Sequence, residues 1–230
     1  MDTVPSAVDA DRIRLLIFDL DGTIADTIES IREGVNMAMI KYDFPERSYE
    51  EIRSFIGNGA RELIRRSMPD EASSDPELVS AVFADYDYFY GLTYDHCERC
   101  YDGIPEALAT LKERGYTIAV LSNKQDNYVK ALVDLLIPEG IVSLAAGQTS
   151  LPKKPDPTVP LMMAEQLGFL PQETAFVGDS DVDILTAHNA GMLSVGVSWG
   201  YRGRQILEDS GAHVIIDHAH GLADLFLGVK

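Results

Sequence analysis

Asp19 and Asp21 stand two residues apart at the end of an apolar run, Leu15-Leu16-Ile17-Phe18, and are followed by Gly22 and Thr23. A short continuous apolar run closed by a glycine turn reads as a strand buried in a parallel sheet. In open α/β sheets the groups that act on ligands gather beyond the carboxyl ends of such strands. Two carboxylates this close repel each other unless a cation lies between them or one of them carries a proton. Hard oxygen donors of this kind suit Mg²⁺. The plainer reading of the pair is an acidic strand end running into an Asp-Gly turn. Thr23 is a hydroxyl just past the strand end, placed either to donate to a phosphate oxygen or to complete the turn.

Two further strands end on polar residues. The run 117–121 closes on Ser122-Asn123, and the run 174–177 closes on Gly178-Asp179, with Asp183 four residues on at the start of a helix. A third strand, 141–145, leads to Lys153-Lys154-Pro155-Asp156-Pro157. Ser122 offers a hydroxyl donor and Asp179 another hard metal ligand. Lys154 is a point charge able to sit on a phosphate and to lower the pKa of a carboxylate. Taken singly, Lys154 reads as a solvated lysine beside a proline turn and Asp179 as a helix cap. Three polar strand ends converging on one edge of one sheet read as a site.

The elements that must hold these residues alternate. Strand and helix patterns succeed one another from residue 95 to an edge strand at 213–216, which implies a doubly wound parallel α/β sheet. Between Asp26 and Asp95 there is no strand signal. Apolar residues at Ile28, Ile31, Val35, Ala38 and Tyr42 make one helical stripe, with Asp26 and Glu29 as its expected cap pair. Ser48-x-x-Glu51 is a capping box, and Asp75-Pro76 opens another helix. Residues 27–94 therefore read as a small helical domain inserted into an α/β core made of 1–26 and 95–230. In the insert, Gly57-Asn58-Gly59 brings backbone amides and a helix N-terminus to one point, and Arg61 follows with a fork of donors. An ordinary helix-turn-helix link with a surface arginine is the simpler alternative.

Composition narrows the function classes. The net charge of −18 over 230 residues argues against a nucleic-acid partner. It would also repel a phosphate substrate, so a metal and a few placed cations must attract it locally. No apolar run reaches the ~20 residues of a membrane span. The acidic start lacks the order of a signal peptide, so a cytoplasmic protein with no membrane partner is expected. Cys97 and Cys100 form a lone C-x-x-C without the further ligands that zinc needs, and read as inert thiols.

The four motifs Asp19-Leu-Asp21-Gly-Thr23, Ser122-Asn123, Lys154-Pro155-x-Pro157 and Gly178-Asp179-x3-Asp183, in that order, resemble those of the haloacid dehalogenase superfamily, in its phosphoglycolate-phosphatase-like group. The loop 56–59 and the stretch Trp199-Gly200-Tyr201-Arg202 share the resemblance, and the insert is similar to that family's small helical cap. The resemblance implies that Asp19 is a nucleophile forming an aspartyl-phosphate. It implies Mg²⁺ on the Asp19 and Asp179 side chains and the Asp21 carbonyl, supported by Asp183. Asp21 is then the acid and base, Ser122, Asn123 and Lys154 hold the phosphoryl group, and Thr23 orders the loop. The cap residues Gly57, Asn58, Gly59 and Arg61 would select a small phosphorylated metabolite. The expected substrate is 2-phosphoglycolate, with pyrophosphate, sugar phosphates and nucleotides as alternatives. A β-phosphoglucomutase-like enzyme is the chemical rival, but its fourth motif usually reads Glu-Asp where this chain has Gly178-Asp179. A non-enzymatic binding module would predict a broken acidic set, and here the set is intact. Monomer and homodimer both remain open.

Overall fold

β1 (Leu15–Phe18) is buried along its whole length in a computed structural model that describes residues 10–96 and 99–228. Its side chains alternate between two apolar clusters. Leu16 and Phe18 pack on one face of the sheet, Leu15 and Ile17 on the other. That two-sided burial explains the unbroken apolar run. Around β1 lie β4 (Thr117–Gln125), β5 (Val142–Gln148), β6 (Thr174–Gly178), β7 (Leu193–Val197) and β8 (Val214–Ile216), all parallel, in the order β5-β4-β1-β6-β7-β8. β8 is an edge strand, as its place in the sequence implied.

Helices cover both faces. α6 (Ile104–Glu113), α7 (Asp126–Leu136) and α11 (His220–Leu227) contribute Leu108, Leu132 and Phe226 to the first cluster. α8 (Thr158–Leu167) and α9 (Asp181–Ala190) contribute Met163 and Ala187 to the second. The short α10 (Arg204–Asp209) packs against β7.

Between β1 and β4 the chain makes a detour. Two short antiparallel strands, β2 (Ala25–Asp26) and β3 (Arg99–Cys100), pair Ala25 with Cys100 and Asp26 with Arg99. They bracket α1 (Ile28–Lys41), α2 (Tyr49–Phe55), α3 (Ala60–Ser67), α4 (Asp70–Ser73) and α5 (Pro76–Thr93), which share an apolar cluster of their own. The Ser48–Glu51 capping box and the Asp75 cap form as read. The Asp26 cap does not. Thr27 is the residue before α1, and Asp26 instead lies in β2, 3.4 Å from Arg99. Cys97 lies outside the described residues, and Cys100 is a half-buried free thiol. No helix among the described residues is long and apolar enough to cross a membrane.

Candidate active site

Asp19 follows β1 directly, and its side chain enters a pocket formed where the sheet's carboxyl edge meets the helical insert. β1 sits between β4 and β6, so Ser122, Asn123 and Asp179 arrive from either side. Oxygens of Asp19, Asp179 and Asp183 lie within 4.8 Å of one another, and all three residues are buried. Lys154 Nζ stands 2.9 Å from Asp19 and 2.7 Å from Asp183. Burial pushes the Asp19 carboxyl up to about 7, and Lys154 on one side and Asp183 and Asp21 on the other pull it in opposite directions. Burial, then the charges of Asp183 and Asp19, raises Asp179 as well. Burial works against the Lys154 ammonium, but Asp183 and Asp19 outweigh it and its pKa rises. Three packed carboxylates against one lysine leave an excess of negative charge, and hard oxygen donors with that excess fit a divalent cation.

The supporting contacts are specific. Asp183 accepts from the Ser180 hydroxyl at 2.6 Å and from the Ser180 amide at 3.1 Å through one oxygen, and from Lys154 Nζ at 2.7 Å through the other. Asn123 accepts from the Lys154 amide at 2.9 Å and donates to the Lys154 carbonyl at 3.0 Å. It also donates to the Gly57 carbonyl at 3.0 Å, tying the insert to the core. Ser122 is buried and lines the pocket. Thr23 is fully buried, and its hydroxyl donates to Asp179 at 3.4 Å rather than facing the pocket. Gly22 has φ +85, and a Cβ there would press on the Asp179 carboxylate. Glycine meets both demands.

Asp21 is held by two partners. Thr27 Oγ1 donates to it at 2.6 Å and Lys124 Nζ at 2.8 Å. Lys124 is itself buried and lies 4.9 Å from the centre of the Tyr90 ring on α5. Sequence reasoning missed Lys124 by closing β4 at Leu121, whereas the strand runs on to Gln125. The available signal was its position directly after Ser122-Asn123. It also gave no individual roles to Tyr201 and Arg202. The Tyr201 amide donates to Asp179 at 2.7 Å, and its hydroxyl accepts from the Thr27 amide at 2.9 Å. Arg202 donates to the carbonyls of Arg53, Ser54 and Ile56 at the end of α2.

Gly57 and Gly59 line the pocket with Ala60, the first residue of α3, whose N-cap Gly59 supplies no side-chain bond. The Asn58 carbonyl accepts from Lys153. Arg61 is not brought to the site. It is exposed, and its guanidinium donates to Ser80 at 2.7 Å. Arg61 is the second residue of α3 and its side chain reaches toward α5, and Arg202 from the core lines the pocket instead. The histidines stay away from the pocket. His188 and His213 share Ser194, and His218 stacks on His220.

The sequence profile described as haloacid dehalogenase-like hydrolase matches residues 16–197. The chain belongs to that family. As a haloacid dehalogenase-like hydrolase it has relatives named phosphoglycolate phosphatase. One from Haemophilus influenzae (strain 86-028NP) is 33% identical over 83% of this chain and 88% of its own length. One from Vibrio vulnificus (strain YJ016) is 32% identical over 94% of this chain and 96% of its own. A crystal structure of a predicted phosphoglycolate phosphatase from Haemophilus somnus 129pt superposes with a TM-score of 0.84 at 29% identity, covering 95% of this chain and 99% of that one. β-Phosphoglucomutase from Clostridium difficile shares the fold, with a TM-score of 0.76 at 23% identity over 94% of this chain and 96% of that one.

Proposed function

We propose that this haloacid dehalogenase-like hydrolase is a Mg²⁺-dependent phosphomonoester hydrolase that works through an aspartyl-phosphate on Asp19, with 2-phosphoglycolate as its substrate. The observation that carries the reading is the placing of Asp19 beside Lys154, with Asp179 and Asp21, in one pocket lined by the insert, and of Asp183 behind Lys154. Asp19 and Asp179 are the side chains that would hold Mg²⁺, with the Asp21 carbonyl as a further oxygen and Asp183 supporting from behind. When bound, the ion offsets the repulsion between the phosphate and the Asp19 carboxylate.

The chain's own groups divide the remaining work. An Asp19 carboxylate oxygen attacks phosphorus, and the bond from phosphorus to the ester oxygen breaks. Lys154 and Ser122 hold the phosphoryl oxygens through the transfer, which asks mainly for positioning and charge. Asp21 gives its proton to the departing alkoxide. It then takes a proton from the water that attacks phosphorus and releases Asp19. Thr27 and Lys124 keep the Asp21 carboxylate aimed at the pocket. The insert acts as a cap, and its contacts through Asn123, Lys153 and Arg202 exclude water while the acyl phosphate exists.

The cavity between insert and core is about 50 Å³. That is room for a few waters, and it favours a small substrate over a nucleotide. The rival phosphomutase reading is disfavoured at Gly178, where a Cβ would overlap the Asp183 side chain and so leaves no place for a glutamate. The test is phosphate release from 2-phosphoglycolate, pyrophosphate, glucose phosphates, glycerol phosphate and nucleoside monophosphates, with Mg²⁺ and then with EDTA. EDTA-sensitive preference for 2-phosphoglycolate is expected. Preference for another ester discards the substrate and keeps the chemistry. Isomerised glucose phosphate without release would overturn hydrolysis.

A further inference from the structure

We infer that Arg202, a core residue, is the specificity-determining group that binds a carboxylate on the substrate. The inference rests on the phosphatase reading above and assigns the recognition of the substrate's second anionic group.

Three cations line the pocket: Lys124, Lys154 and Arg202. Two already face carboxylates. Lys154 lies between Asp19 and Asp183, and Lys124 is 2.8 Å from Asp21. Arg202 differs, because among the described residues it makes no ion pair. Its partners are backbone carbonyls, Arg53 at 3.3 Å and Ser54 at 3.1 Å through Nη1, and Ile56 through Nη2. These three bonds fix the guanidinium without neutralising it. They use three of its five donor hydrogens and leave the Nε–H and one Nη2–H. Those remaining donors can serve an anion held in the pocket that Arg202 lines.

The surroundings agree. Gly57 lines the pocket beside Arg202. The start of α3, at Gly59 and Ala60, borders the same space and has no side-chain cap to satisfy its amides. The remaining insert residues that line the pocket are apolar apart from the Tyr86 hydroxyl. A ligand with only a phosphate would leave the Arg202 charge unmet in a partly desolvated position. Arg202 lines the same pocket as Asp19 and Lys154, so the second anion belongs to the same small molecule as the phosphate. The class that satisfies both ends is a short phosphorylated carboxylic acid.

The experiment compares two substrates that differ only at that end. One is 2-phosphoglycolate, and the other is 2-hydroxyethyl phosphate, in which CH₂OH replaces the carboxylate. Steady-state kinetics with saturating Mg²⁺ are run on wild type, Arg202→Gln and Arg202→Lys. Glutamine loses the charge, whereas lysine keeps the charge and loses the fork. The expected result for Arg202→Gln is a KM for 2-phosphoglycolate raised at least tenfold more than the KM for 2-hydroxyethyl phosphate. Arg202→Lys should recover part of the loss. The alcohol phosphate also reports whether each variant is folded and competent. Equal losses on both substrates would overturn the inference and leave Arg202 as a clasp for the insert, and an unchanged preference would overturn it too. A wild type that does not favour the acid over the alcohol removes the 2-phosphoglycolate reading itself, which is a separate failure seen before any variant is made.

Discussion

Replacing Asp19 with asparagine should abolish turnover and, in the absence of metal, make the protein more stable. The side chain keeps its shape and loses one of three crowded negative charges. Burial holds the Asp19 carboxyl at about 7 in the folded chain against 3.8 in the unfolded one. The folded state therefore binds the proton more tightly between those values, and wild-type stability falls as pH rises from about 4 to about 7. At about 1.36 kcal/mol per unit, the full difference is about 4 kcal/mol. Lys154 is shared with Asp183, and part of the relief is lost when it no longer meets a charge at Asp19, so a gain of about 2–4 kcal/mol is expected. Urea unfolding in EDTA checks it. Asp19→Asn should unfold at higher urea than wild type at pH 8, and the gap should close near pH 4. Saturating Mg²⁺ should reverse the order, since only wild type gains fully from a ligand that binds the folded state. Equal urea midpoints in EDTA at pH 8 would refute the reasoning and show that Lys154 alone balances the cluster.

Gly200→Ala should disable the site from a residue that does no chemistry. A Cβ at position 200 would overlap the Asp179 side chain and the Gly22 carbonyl, so the carboxylate must move. A loss of at least tenfold in Mg²⁺ affinity, measured by the metal dependence of phosphate release or by calorimetry, is expected, and unchanged affinity would contradict it. Arg61→Ala, by contrast, should change kcat/KM for 2-phosphoglycolate by less than about twofold. The guanidinium rests on Ser80 at the surface, where such contacts are worth little. A large, substrate-selective loss in that variant would return Arg61 to the pocket.

What could be read in the sequence depended on whether local physics or distant contacts decided the outcome. β1 was legible because a parallel strand buried on both faces is apolar throughout. The start of α5 was legible because Asp75 and Pro76 act on their own helix. β4 was read short because Ser122, Asn123 and Lys124 are polar, and their burial serves the site rather than the core. β2 and β3 carry two residues each and pair across more than seventy positions, so no periodicity could announce them. Arg61 and Arg202 differ in nothing that sequence spacing records. Only the packing of α3 on α5, and of residues 200–202 beneath α2, sends one to the surface and the other to the pocket.

The β2–β3 pairing also bears on how the sheet is assembled. β1 is made first and belongs at the centre, yet its neighbour β4 begins only at Thr117. Bringing those strands together directly would close a long loop. Once the helices between them have folded locally and Asp26 lies beside Arg99, the path shortens to the arms 19–25 and 100–116, roughly a quarter of its length. Two halvings of a loop save about 1 kcal/mol of closure entropy, and local contacts form faster than distant ones. With that order of events the helical insertion would act as a splint, drawing β1 toward a partner about a hundred residues further along the chain.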